Sequence, residues 1–144
     1  MTDLPVRQYF LNSRQEVAPL LPMSYLRTLE IGCGAGGFSQ TYLNSANEKW
    51  GIEPDIEAAA IATPKFHNLL VGTYDQVSTK LPDDYFDLVV CNDVIEHMED
   101  HDAFLQAIKS KMKSGAYLVG SIPNIRHFTA LVKLLIFKDW PYAN

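Results

Sequence analysis

The stretch TLEIGCGAGGFSQ, residues 28–40, decides how the chain is read. An apolar run ends at Ile31, glycines follow at 32, 34, 36 and 37, and a helix-like segment begins at once. Glycine tolerates positive φ, so a sharp strand-to-helix turn is one reason for the cluster. A ligand brought against the backbone is the other, because the first N–H groups of a helix have no partner within it. Gly32, Gly34 and Gly37 fit the dinucleotide spacing G-x-G-x-x-G, and Gly36 opens a second register, G-x-G-x-G. The turn by itself leaves both readings open.

Outward from that turn, strands and helices alternate. RTLEI (27–31), KWGIE (49–53), NLLVG (68–72), FDLVV (86–90) and AYLVGSI (116–122) read as strands. GGFSQTYLN follows the first and PDIEAAAIA the second, each with helical composition, and Pro54 suits a helix start. DHDAFLQAIKSKMKSG reads as a helix capped by Asp100 and ended by Gly115. VRQYFLNSRQEVAPLL predicts a leading helix over 7–18, and NIRHFTALVKLLIFKDW a last helix over 124–138, around a core of 27–123. Strands that are apolar throughout and alternate with helices predict an α/β fold, a mainly parallel sheet covered on both faces. Ligands of such sheets bind where the strands end.

Composition bounds the function. At 144 residues and 47% hydrophobic, the chain reads as a single domain, 1–144, with a real core. Its net charge of −5 gives no broad electrostatic case for nucleic acid or an anionic membrane. The most apolar tract, FTALVKLLIF (128–137), is broken by Lys133 and is too short to span a bilayer, which needs about 20 residues. MTDLPVRQYF shows no signal-peptide pattern. Cys33 and Cys91 form no disulfide framework or metal-ligand spacing, and they suit a reduced, cytoplasmic setting as small core residues.

Three features bear on what the glycines hold. Glu53 ends the second strand, 21 residues after Gly32, where an acid can grip a ribose diol. Its alternative role is to cap the helix after Pro54. Glu30 lies inside the first strand, where a carboxylate is costly unless something satisfies it. A pyrophosphate would be repelled by it; an ammonium group, or the N–H groups of the turn, would satisfy it. Asn92, Asp93, Glu96 and His97 cluster just past the fourth strand. With Thr73, Tyr74 and Asp75 they make a site rich in acceptors and nearly free of lysine and arginine, the reverse of what phosphate requires. A cationic or zwitterionic cofactor is expected.

LEIGCGAGGFSQTYL, WGIEPD, VGTYDQ, FDLVVCNDVIEHMED and MKSGAYLVGSIPN, in that order, resemble the class I S-adenosylmethionine-dependent methyltransferases over most of the chain. The resemblance implies a Rossmann-like three-layer αβα sandwich of about five strands, lacking the usual last two. It implies S-adenosylmethionine as cofactor and S-adenosylhomocysteine as product. Gly32, Cys33, Gly34, Gly36 and Phe38 would then lie along the methionine half, with Glu30 supporting the loop and Glu53 on the ribose. Pro54, Thr73, Tyr74 and Asp75 would surround adenine. Relatives often carry Asp where Thr73 stands, so either Thr73 or Asp75 makes that contact. Asn92 would offer its carbonyl to the ammonium, Asp93 and His97 would line the wall, and Tyr9 would belong to a lid.

Methyl transfer from a sulfonium is an in-line displacement in which positioning and water exclusion supply much of the rate. His97 and His127 are candidate bases by position, and no catalytic residue is assigned. The acceptor is expected to be a small molecule or a glycan. CNDV (91–94) replaces the aromatic-proline tetrad of relatives that act on nucleobases. The alternatives are a cofactor-binding fragment without turnover and an NAD-dependent oxidoreductase. No strand pattern follows the last helix, so a fragment is expected. The fifth-strand edge or the last helix is then either covered by a second copy or left as an apolar patch.

Overall fold

The computed structural model describes residues 14–123. The elements run in order β1 (Arg27–Ile31), α1 (Gly37–Tyr42), β2 (Glu48–Glu53), α2 (Ile56–Ala62), β3 (Asn68–Val71), α3 (Tyr74–Val77), β4 (Phe86–Asn92), α4 (His101–Lys111) and β5 (Met112–Ser121). The five strands form one sheet in the order β3-β2-β1-β4-β5, and every pairing is parallel. Chain order reverses between β1 and β4, so all five carboxyl ends lie along one edge with a switch point at its centre.

Strand alternation builds two cores. Leu29, Ile31, Ile52, Val89 and Cys91 face α3 and α4, where they meet Tyr74, Val77, Phe104 and Ile108. Leu88 and Val90 point the other way, to Phe38 and Leu43 of the α1 side and to Val17, Tyr25 and Val119. Leu88, Val89, Val90 and Cys91 are all fully buried, which is why FDLVVC shows no polar alternation. The fold is the α/β, Rossmann-like sandwich expected from sequence.

Helix α4 illustrates the local logic. Asp100 caps it by accepting from the Ala103 N–H at 2.9 Å, and Phe104 and Ile108, one turn apart, bury its inner face. It stops at Lys111, four residues before Gly115, because Met112 already pairs with Phe86 on β4. Gly115 instead lies within β5 at φ +80°, where the register to β4 shifts between Phe86 and Leu88.

Of the leading helix expected over 7–18, residues 14–18 are not α-helical. Arg14 has φ +43°, a turn follows, and Ala18–Leu20 is a short 3-10 segment entered through Pro19. Val17 and Tyr25 bury themselves in the α1-side core, so packing rather than helix propensity shapes this approach to β1. The last helix, Tyr9 and His127 lie outside the described residues. Among the described residues β5 pairs only with β4, and Tyr117, Leu118 and Ile122 are exposed. No helix among them is long and apolar enough to cross a membrane.

Candidate functional site

A cleft of about 1160 Å³ opens along the carboxyl edge of the sheet. Residues from four strand ends or the turns that follow them line it: Gly32 to Gly34 after β1, Glu53 to Asp55 after β2, Gly72 to Asp75 after β3, and Asn92 to Val94 after β4. Phe38 on α1, His97, and the inner face of α4 complete the wall.

The glycine turn is held from several sides. Gly32, Gly34 and Gly36 all have positive φ, so the second register, G-x-G-x-G, is the one the backbone requires. At Gly32 the constraint is double, since a Cβ would also stand 2.6 Å from Val94 Cγ2. Gly36 does not line the cleft. It is the N-cap position of α1 and faces Lys65, Phe66 and Ala62, because the turn swings its Cα towards α2. Lys65 Nζ donates to the Ala35 carbonyl at 2.7 Å and fastens that side of the turn.

The two acids behind the glycines have separate tasks. Glu30 is buried and accepts from Ser39 Oγ at 2.6 Å, tying β1 to α1 rather than bonding the glycine N–H groups. Burial pushes its carboxyl up to about 7, the Ser39 bond opposing this only in part. Glu53, also buried, accepts from the Gly34 N–H at 2.7 Å through Oε2 and from the Asp55 N–H at 2.9 Å through Oε1. Burial raises its carboxyl above the ordinary range, against those two bonds. Asp55, not Glu53, caps α2 by accepting from the Ala58 N–H at 2.8 Å. Glu53 therefore spans from the glycine turn to the start of α2 with its carboxylate on the cleft wall.

Glu30 makes stability depend on pH. Between the ordinary value of 4.5 and about 7 the folded chain holds a proton that the unfolded chain has released. Stability consequently falls as pH rises through that window. Glu30→Gln keeps an acceptor for Ser39 and removes the charge. The variant should melt roughly 5 °C above the wild type at pH 8. The two should converge by pH 4.5 in calorimetric scans, near the unfolded carboxylate range.

Beyond β3, Thr73 occupies the N-cap of α3, and its N–H donates to Gln76 Oε1 at 2.9 Å. Tyr74 is buried and packs edge-on against Phe104, with ring centroids 5.1 Å apart. Its hydroxyl is buried without a hydrogen-bond partner, and burial pushes its phenol up to about 12. Asp75 is exposed on the same wall. After β4, both polar atoms of the Asn92 side chain are buried and unpartnered. Asp93 is buried, receives a hydrogen bond from Ser121 Oγ at 2.7 Å and pairs with the Arg14 guanidinium. His97 is mostly exposed, with Nε2 3.9 Å from Glu96 Oε1. Cys33 is buried on the wall, and burial pushes its thiol well above the ordinary range.

Of the fourteen described residues singled out from sequence, the cleft thus brings together thirteen, all except Gly36. Four contributors were missed. Arg14 is the one lysine or arginine on the wall among the described residues, and it pairs there with Asp93. Ser39 carries no motif beyond its place one turn into α1. Ala103 and Ala107 line the cleft beside Phe104, and their one-turn spacing on α4 was the available signal. Among the described residues no three His, Cys, Asp or Glu side chains come together as a metal site.

Comparison with known proteins bears on this cleft. Residues 6–144 match the family model for a methyltransferase domain. The chain is 31% identical over 105 residues to a ubiquinone biosynthesis O-methyltransferase of Bradyrhizobium sp. (strain ORS 278), covering 71% of this chain and 42% of that one. It is 35% identical over 104 residues to the enzyme of the same name from Rhodopseudomonas palustris (strain BisB5), covering 69% and 41%. The chain therefore spans less than half the length of these curated relatives. Among solved structures, a SAM dependent methyltransferase from Archaeoglobus fulgidus superimposes with a TM-score of 0.71 at 25% identity, covering 100% of this chain and 69% of that one. A SAM-dependent methyltransferase of Thermotoga maritima shares the fold, with a TM-score of 0.68 at 24% identity over 91% of this chain and 60% of that one.

Proposed function

The chain belongs to the methyltransferase domain family, and from that premise we propose that it binds S-adenosylmethionine in the cleft and serves methyl transfer to an oxygen of a small-molecule acceptor. The observation that carries the reading is the charge pattern of the wall: the acids Glu53, Asp55, Asp75 and Asp93 line it, and among the described residues its one guanidinium, Arg14, is paired with Asp93. A phosphate-bearing cofactor would meet repulsion there, whereas a zwitterion with a cationic sulfur finds complementary partners.

The residues present fit that cofactor. Glu53 has lone pairs left for a ribose diol after accepting from Gly34 and Asp55. The orphaned Asn92 amide offers both a donor and an acceptor to an amino-acid tail. Arg14 faces the tail's carboxylate. Gly32, Cys33, Gly34 and Phe38 floor the methionine half, while Pro54, Thr73, Tyr74 and Asp75 surround the base. S-adenosylmethionine supplies an electrophilic methyl group on a leaving sulfur. The chain's own part is to orient the sulfur and keep water from it, with His97 on the cleft wall as a candidate acceptor for a proton. The relatives named for O-methylation in ubiquinone biosynthesis favour a small-molecule acceptor over a glycan. The free, buried Cys33 and Cys91 suit the reducing, cytoplasmic setting we assign.

Calorimetric titration with S-adenosylhomocysteine and with NAD tests this directly. Saturable binding of the first at micromolar concentrations and silence for the second are expected. Binding of NAD alone would hand the cleft to the oxidoreductase reading.

A further inference from the structure

Asp93 joins three parts of the molecule. It follows β4 with φ +54°, a left-handed conformation that aspartate tolerates better than most residues and that its neighbours constrain here. Ser121, the last residue of β5, supplies that constraint twice. The Asp93 N–H donates to the Ser121 carbonyl at 2.9 Å, and Ser121 Oγ donates to Asp93 Oδ1 at 2.7 Å. The second carboxylate oxygen, Oδ2, receives the Arg14 guanidinium. The Asp93 side chain is 6% exposed and that of Arg14 25%, so the pair sits in the shelter of the cleft. Ser121 itself is not part of the cleft wall.

A second carboxylate competes for Arg14. Glu16, 65% exposed, stands with Oε1 3.7 Å from Arg14 Nη1 on the outer side. Long guanidinium side chains carry much rotamer freedom, and a binding site that fixes one before the ligand arrives removes that cost from binding. Ser121 bonds one oxygen of the Asp93 carboxylate, and Arg14 takes the other.

Resting on the cofactor reading above, we propose that Ser121 and Asp93 are positioning residues. They hold Arg14 towards the amino-acid tail of the cofactor, so that the cleft prefers ligands with a complete tail to those that end at the sulfur. A guanidinium has five N–H donors, so one engaged with Asp93 retains others for a ligand carboxylate.

Two probes separate this from a structural role. S-adenosylhomocysteine carries the tail, whereas 5′-methylthioadenosine keeps the nucleoside and sulfur without it. In calorimetry on the full chain, Ser121→Ala should weaken S-adenosylhomocysteine about five-fold, as expected for one charge-assisted bond removed behind the ligand. It should leave methylthioadenosine unchanged. Ser121→Thr, which keeps the hydroxyl, should restore the affinity. In an Arg14→Gln background Ser121→Ala should add nothing, since the residue it positions is gone. Equal losses for both probes, a loss that persists without Arg14, or unaltered S-adenosylhomocysteine affinity would each overturn the proposal. A wild-type chain that binds neither probe would overturn the cofactor reading, and this proposal with it.

Discussion

Glu53→Ala should weaken S-adenosylhomocysteine binding about a hundred-fold while the chain remains folded. The carboxylate has two kinds of work. It already accepts from the Gly34 and Asp55 N–H groups at 2.7 and 2.9 Å, which fixes the glycine turn against the start of α2. Its remaining lone pairs meet the ribose hydroxyls under the proposed function. Alanine removes both, and hydrogen bonds to a charged group contribute about 1.5–3 kcal/mol each. Losing two to the ligand corresponds to roughly two orders of magnitude in Kd. Glu53→Gln keeps one strong acceptor and should fall between the variant and the wild type. Calorimetry gives the affinities, and a thermal scan on the same samples shows whether the turn has collapsed. A change of less than three-fold in Kd would confine Glu53 to the backbone N–H groups.

The largest effect on stability is expected at Gly120. This residue pairs with Cys91 across β4 and β5, and a Cβ added there would stand 2.2 Å from the Cys91 carbonyl oxygen. A flexible side chain could yield, but the Cys91 backbone oxygen, on a strand paired on both sides, cannot move without disturbing the ladder. Gly120→Ala should therefore cost about 3 kcal/mol, the upper part of the overpacking range, and lower Tm by roughly 10 °C. Because Ser121 follows directly, S-adenosylhomocysteine affinity should fall as well through the misplaced Asp93. A Tm within 2 °C of the wild type would show that β5 can slip outwards at little cost. Gly115 differs in kind: nothing lies within 4 Å of its would-be Cβ, but its φ of +80° strains any side chain placed there.

The layered α/β fold was legible because its signals are local and repeated. Each buried strand is a short apolar run, α1, α2 and α4 start at a recognisable turn or cap, and parallel order follows from their alternation, whereas the one-turn α3 was not read from the sequence. The site's position was legible for a related reason. In a parallel sheet, residues that follow each strand in sequence must meet at one edge, so Gly32, Glu53, Thr73 and Asn92 could be grouped without coordinates. Boundaries were less legible. The helix-to-strand junction at Lys111 and Met112 is set by pairing with Phe86, a partner more than twenty residues away. No helix-stop signal near Gly115 reports that.

Partner identity divided the same way. That a carboxylate at position 30 needs a satisfying group follows from its residue type and an apolar strand. That Ser39 supplies the donor depends on how α1 folds back over β1. Gly36 carries the same motif status as Gly32, yet it turns to Lys65 and Phe66, because rotation through a left-handed turn is decided by packing against α2. Arg14 is the clearest case. Nothing in its neighbourhood of the chain distinguishes it, and in the cleft it meets Asp93, 79 positions away, which Ser121 also bonds. The sequence by itself determined the elements, their parallel order and the acid-rich edge, since these depend on residue type and local spacing. Only the tertiary structure decided which donors meet which acids, because such pairs form between segments far apart in the chain and are selected by packing.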